Sequence, residues 1–369
     1  MTRGTTPSCA MDSVPIWLHS KELRRASPRK LGAGSRSPGF GPEFLRTLGE
    51  EIQAFAEWVP PTPRELEERE AFVERVRDIV VKLWPTSTVQ VFGSSETGLA
   101  LPDSDVDIVI DGLNDSNRPK CNFHLHELSE ALQQHGMTNL RVLSHAKVPL
   151  IKFIDPGTNL CGDISFSVPN AAASVQLVKK YLSEHAVAKP LILVLKTLLR
   201  QNGLNLVHTG GLSSYAVTLL VISYLRATEK ESSALHEVDC MVLGKAFVGF
   251  VKYFAATDLR NHIFTPGKEN PVTISMGGIY PHRPVHQFVL EDPLDCTNDI
   301  CRGSYQKGHV QTLMWYSLQA LSQYPTYGYG VIPSILSSII NPRDFVFLSR
   351  HVGEDDGASS GSTDDERGE

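Results

Sequence analysis

The stretch Asp105-Val-Asp-Ile-Val-Ile110 alternates a carboxylate with a β-branched residue and then runs apolar, which dictates a strand with one wet, acidic face and one apolar face. Just upstream, Thr88 to Phe92 is a second short β-branched run, and Gly93, Gly98, Pro102 and Ser104 break the chain between the two. Two strands joined by a loop follow. A third alternating run, Cys161-Gly-Asp-Ile-Ser-Phe166, puts Asp163 and Ser165 on one side and Ile164 and Phe166 on the other. A sheet made of these strands gathers its acids on one face and leaves the opposite face to bury against helices.

Three acidic side chains in one pocket, Asp105, Asp107 and Asp163, repel one another unless a cation neutralises them. Their oxygens suit a hard ion, Mg²⁺ with Mn²⁺ as the alternative, completed by substrate phosphates. All three are therefore assigned as metal ligands and catalytic residues. Two such ions lower the barrier to in-line displacement at phosphorus, one activating the attacking hydroxyl and the other steadying the leaving pyrophosphate. Asp163, on its separate strand, is the candidate to sit beside the attacking 3′-hydroxyl. Gly93 lets the backbone approach a triphosphate closely, and the Ser94 hydroxyl can donate to its oxygens. An Asp-x-Asp pair alone is common in exposed turns. Gly93-Ser94, Thr97-Gly98-Leu99, Pro102, Asp105-x-Asp107 and Asp163 together are more than turn chemistry requires, and they point to nucleotidyl transfer.

Further motifs are Leu83-Trp-Pro85, Leu193-Val-Leu-Lys196, Thr209-Gly-Gly-Leu-Ser-Ser-Tyr215 and Glu291-Asp-Pro-Leu294. With these, the chain from about Leu48 to about Ile340 resembles the DNA polymerase β-like nucleotidyltransferases, and within them the non-canonical poly(A) polymerases of the nuclear exosome-cofactor (TRAMP) type. The resemblance implies an α+β fold: a polymerase β-like nucleotidyltransferase domain with a mixed sheet, plus a mainly helical central (poly(A) polymerase-associated) domain. It implies template-independent addition of nucleotides, chiefly AMP from ATP, to an RNA 3′ end. It also implies a zinc-knuckle RNA-binding protein and an RNA helicase as partners, and a nuclear location with the cytoplasm as the alternative. A uridylyl- or mixed-specificity tailing enzyme and a non-catalytic RNA-processing scaffold are the competing readings; the intact acids argue against the scaffold.

After Val168-Pro169 the pattern changes to longer helical stretches, including Ala171 to Glu184, Lys189 to Gln201 and Ser213 to Ala227, so the domain boundary is set near Asn170. Residues 1–43 are read as a disordered arm, 44–170 as the nucleotidyltransferase domain, 171–345 as the helical nucleotide-recognition domain and 346–369 as a disordered acidic tail. The catalytic part begins with amphipathic helices over Phe44 to Trp58 and about Pro63 to Leu83. Lys196 and Arg200 lie four residues apart on one predicted helix, so both cations share a face and can reach a triphosphate. The resemblance assigns phosphate contact to Lys196. Gly210-Gly211 turns the chain into a helix with Ser213 or Ser214 as its cap, and Tyr215 offers a ring for a base to stack on. The resemblance gives that serine and tyrosine to nucleotide binding.

Base choice falls on a later loop. Relatives that prefer UTP carry a histidine seven residues after the glutamate of Glu-Asp-Pro, where this chain has Asn298. Asn298 and Asp299 can accept from the adenine amino group, which favours ATP. Three departures from the family pattern stand out: Ser95 for an aromatic residue, Ser167 for an asparagine and Cys301 for a glycine.

Charge sets a further bound. From Glu354 to Glu369 there are seven acids and one arginine, which equals the whole-chain formal charge of −6 and leaves the rest near zero. The body is no basic RNA clamp, so weak or partner-assisted RNA binding is expected. Lys21, Arg24, Arg25, Arg29 and Lys30 form a basic arm that suits nuclear targeting or RNA contact as well as plain solvation. No apolar run is long enough to span a bilayer. The six cysteines show neither zinc-ligand nor disulfide spacing.

Overall fold

In the computed structural model the described residues are 40–113, 118–146, 148–166, 168, 170–228, 239–260, 262–268, 272–274, 288–327, 334–348 and 350. Residues 1–39 of the expected arm, nearly all of the acidic tail and Ser167 lie outside them, and α1 begins inside the expected arm at Pro42. The first strands form where alternation places them: β1 (Thr88–Phe92), β2 (Val106–Asp111) and β5 (Cys161–Phe166), with β3 (Thr138–Leu143) and β4 (Leu150–Ile154) between. Their order across the sheet is β1-β2-β5-β4-β3. β2 and β5 run parallel and every other neighbouring pair antiparallel, so the sheet is mixed.

One face is apolar. Val106, Ile108, Ile110, Ile151, Phe153, Ile164 and Phe166 bury there against α2 (Pro63–Leu83) and α4 (Arg118–Gln134), through Phe72, Val76, Leu125 and Leu128. α2 starts at a reciprocal cap: the Glu65 N–H donates to Thr62 Oγ1 (3.3 Å) and the Thr62 N–H to Glu65 Oε2 (2.7 Å).

The second core is helical, built from α1 (Pro42–Trp58), α5 (Ala171–Glu184), α6 (Ala188–Gln201), α7 (Ser214–Thr228), α8 (Cys240–Ala256) and α9 (Lys307–Tyr327). Beside it lies a sheet of β6 (His262–Phe264), β7 (Val272–Ile274), β8 (Val289–Asp292) and β9 (Asp295–Asp299), in the order β7-β6-β8-β9. Chain order groups α1 with the catalytic sheet, but its packing does not. Phe44, Leu48, Ile52 and Phe55 lie in the helical core, and α1 crosses α8 where Gly49 and Gly244 bring the backbones together. A Cβ at Gly244 would collide with the Leu45 carbonyl oxygen, and one at Gly49 with that of Cys240. Val346 and Phe347 also join this core, so the ordered chain runs past the expected tail boundary at residue 346.

Candidate active site

Between β1 and β2 the chain makes one helical turn, α3 (Gly93–Thr97), and a tight loop. Gly93 takes φ +68°, and a Cβ there would collide with the Asp107 carboxylate, so this position excludes side chains on both counts. The Leu101 N–H donates to Ser104 Oγ at 2.9 Å, closing the turn that delivers Asp105. From α2, the buried Arg69 donates to the Pro102 carbonyl at 2.8 Å and pins the loop from behind.

The register then sets a row across the open face. Phe92 stands opposite Asp107, Asp107 opposite Asp163, Asp163 opposite Lys152, and Lys152 opposite Arg141. Acids occupy the middle of the sheet and cations its β3 edge. Lys152, which has no role in the sequence reading, donates to Asp163 Oδ2 at 2.5 Å and stands 3.4 Å from Asp105 Oδ2. Its own alternation, Leu150-Ile-Lys-Phe-Ile154, was the available signal.

Burial, then the charges of Asp163 and Asp105, push Asp107 up to about 7. Asp163 is raised as well, by burial first and by Asp105, against the pull of Lys152. Burial lowers Lys152, but its bond to Asp163 and the charges of both acids outweigh that and hold the ammonium above its usual value. Among the described residues no three histidine, cysteine or acidic side chains stand as a closed metal-binding set. The Lys152 ammonium lies between two of the acids instead. The donors nonetheless fit a hard divalent ion: they are carboxylate oxygens, the Asp105 and Asp163 side chains are 38% and 18% exposed, and Gly93 keeps the space beside Asp107 clear.

Lys196 and Arg200 share a helix but not an environment. The buried Lys196 ammonium donates to the Leu99 carbonyl of the catalytic loop, and burial lowers it to about 8 against the attraction of Asp107 and Asp103. Arg200 forms ion pairs with Asp103 (2.9 Å) and Asp344 (3.0 Å) and stacks over Phe347. It ties the catalytic loop to α6 and the C-terminal segment.

The residues expected to recognise the nucleotide form a second group. Ser213 caps α7, its Oγ accepting from the Ala216 N–H at 3.1 Å, while Ser214 is exposed on the first turn. The Tyr215 hydroxyl donates to Asp292 Oδ1 at 3.4 Å, and the Asn298 amide nitrogen donates to Asp292 Oδ2 at 3.1 Å. Asp292 thus ties the Tyr215 ring to the Asn298 amide. The Glu291-Asp-Pro motif marked it without revealing that role. Asp299 Oδ1 accepts from the N–H groups of Leu290 and Cys301, at 3.1 and 3.0 Å, so this oxygen shapes the loop. Cys301 is fully buried and its thiol is pushed up to about 12 by burial. The Ser95 hydroxyl is buried with no hydrogen-bond partner among the described residues.

The mixed sheet and the helical unit define a polymerase-type nucleotidyltransferase fold, and a solved structure described as the polymerase core of TRAMP, an RNA surveillance complex, shares it with a TM-score of 0.70, 25% identity and coverage of 80% of this chain and 94% of that one. Residues 48–183 match the family described as poly(A) RNA polymerase, mitochondrial-like, central palm domain. The chain belongs to the non-canonical poly(A) polymerase family. It is 32% identical to poly(A) RNA polymerase CID14 of Cryptococcus neoformans over 288 residues, 74% of this chain and 36% of that protein. It is 33% identical to the inactive non-canonical poly(A) RNA polymerase protein Trf4-2 of Drosophila melanogaster over 282 residues, 72% of this chain and 66% of that protein. The chain therefore spans about a third to two thirds of these relatives. A variant of the Cid1 poly(U) polymerase bound to MgATP has the same fold, at 20% identity and a TM-score of 0.64 over 81% of this chain and 98% of that one.

Proposed function

We propose that the chain is a template-independent RNA 3′-terminal adenylyltransferase. The observation that carries this reading is the cross-strand pairing of Asp107 with Asp163 on the open face, with Asp105 beside them and Lys196 reaching in from the helical unit. Asp105, Asp107 and Asp163 would hold Mg²⁺ or Mn²⁺, which when bound supplies charge neutralisation, an activated hydroxyl and a stabilised leaving group. The RNA 3′-hydroxyl gives up its proton to solvent as its oxygen forms a bond to the α-phosphorus of ATP, the bond from that phosphorus to the bridging oxygen breaks, and pyrophosphate leaves with those electrons.

The residues position and stabilise the reactants. Gly93 and Ser94 would admit the triphosphate, and Lys196 would offset its charge. Ser213 and Ser214 lie at the start of α7, below Tyr215, whose ring would carry the base. Asn298 must turn its amide nitrogen to the acceptor carboxylate of Asp292, so its acceptor oxygen points away from Asp292, the polarity that matches the adenine amino group. A uridylyltransferase is the second reading, because the family includes relatives that use UTP. RNA would be the acceptor. A zinc-knuckle RNA-binding protein, an RNA helicase and the nuclear compartment are the setting that the family resemblance supports.

Asp107→Asn tests the site directly. Incorporation should fall to background, while the metal-free protein melts no lower than wild type, because the substitution removes a buried carboxylate held against two others. Near-normal incorporation with Mg²⁺ present would overturn the assignment.

A further inference from the structure

Lys152 uses the same oxygens that an ion would. Its ammonium is bonded to Oδ2 of Asp163 and lies near Oδ2 of Asp105, opposite Asp163 in the β4–β5 register. A divalent ion sits about 2.0–2.1 Å from a carboxylate oxygen when the ion is Mg²⁺. An ammonium on the same oxygen would then face it at short range, where two cations repel strongly. Lys152 is 36% exposed, so its side chain has solvent to swing into.

We propose that the Lys152 ammonium is a built-in competitor for the divalent ion held by Asp163 and Asp105, so that ion loading requires Lys152 to leave. This rests on the two-ion reading above. The lysine neutralises the acids until the ion and its phosphates arrive, and it lowers apparent ion affinity by the fraction of time that it occupies the oxygens. A lysine that merely props up the strand makes the opposite demand: its loss would leave ion binding unchanged or weaker.

Mn²⁺ binding to the full chain distinguishes the two, followed by the resonance of free Mn²⁺ and by calorimetry in wild type, Lys152→Met, Lys152→Gln and Asp163→Asn. Both lysine variants should bind Mn²⁺ about tenfold or more tightly at the site that Asp163→Asn destroys. They should also melt lower than wild type without Mn²⁺ and gain more in Tm when it is added. In the wild-type protein, an amine-reactive label should modify Lys152 faster with Mn²⁺ than without, a readout that needs no variant to fold. Mn²⁺ binding at the Asp163-dependent site that is unchanged or weaker in the lysine variants, or labelling of Lys152 that ignores Mn²⁺, would overturn this inference alone. Absence of any Asp163-dependent Mn²⁺ binding would overturn the two-ion reading and this inference with it.

Discussion

Burial holds the Lys196 ammonium against the Leu99 carbonyl at the cost of its proton affinity, and that has a consequence for pH dependence. Its pKa in the folded chain, about 8, lies below its ordinary 10.5, so the charge is present below that point and lost as pH rises through it. With Mg²⁺ saturating, kcat/KM for ATP should therefore fall on an alkaline limb near pH 8, by roughly tenfold per unit beyond it. A flat profile to pH 10 would mean that Lys196 carries no phosphate. Base choice belongs to the same scale. Asn298→His replaces the amide that Asp292 orients, and it should shift incorporation toward UTP by roughly tenfold or more in relative kcat/KM. An unchanged nucleotide ratio would remove this loop from base selection. These positions differ in how far sequence discloses them. Gly93 and the acids are legible because strand alternation and φ requirements leave few other residues able to serve. Strand alternation marks the face of Lys152 and a motif marks Asp292, but the bonds that define their roles, to Asp163 and Tyr215, come from 11 and 77 residues away.

At the scale of elements, alternation located β1, β2 and β5, and 3.6-residue periodicity located α1, α2, α5, α6 and α7. The three-residue strands β6 and β7 are too short to show a period, and β4 was passed over although its Ile151 and Phe153 bury opposite Lys152. Periodicity says that a helix buries a face, not what it buries against. That is why the pattern locates α1 and groups it with the 44–170 segment without showing that it packs in the helical core. Its true partner, α8, makes a specific demand: Gly244→Ala gains helix propensity but drives a methyl group into the Leu45 carbonyl. Overpacking at a backbone crossing should dominate and cost about 1–3 kcal/mol, seen as a lower Tm with the circular dichroism of the folded state retained. A Tm equal to wild type would show that α1 and α8 do not meet there.

Across the whole molecule the two cores are joined by charge as well as by chain. Arg350 donates to the carbonyls of Trp58 and Pro60 and to the Glu65 carboxylate, clamping the link between α1 and α2. Arg200 bridges Asp103 of the catalytic loop and Asp344 near the C-terminal end of the described chain. Glu51 on α1 accepts from the Ile335 and Leu336 N–H groups and holds that same segment down. These ties fix the catalytic loop against the helical unit, and the proposed transfer requires that the two keep their relative position. Among the described residues no helix is long and apolar enough to cross a membrane. The central claim is that the site built on Asp105, Asp107 and Asp163 moves AMP from ATP to RNA, and its most direct measurement is extension of a labelled RNA primer with each of the four nucleoside triphosphates supplied separately in Mg²⁺. The account requires extension by the wild-type chain with ATP ahead of UTP, CTP and GTP, and none with Asp105→Ala. Extension led by UTP, extension that survives Asp105→Ala, or no extension with any nucleotide by the folded protein in Mg²⁺ would contradict it.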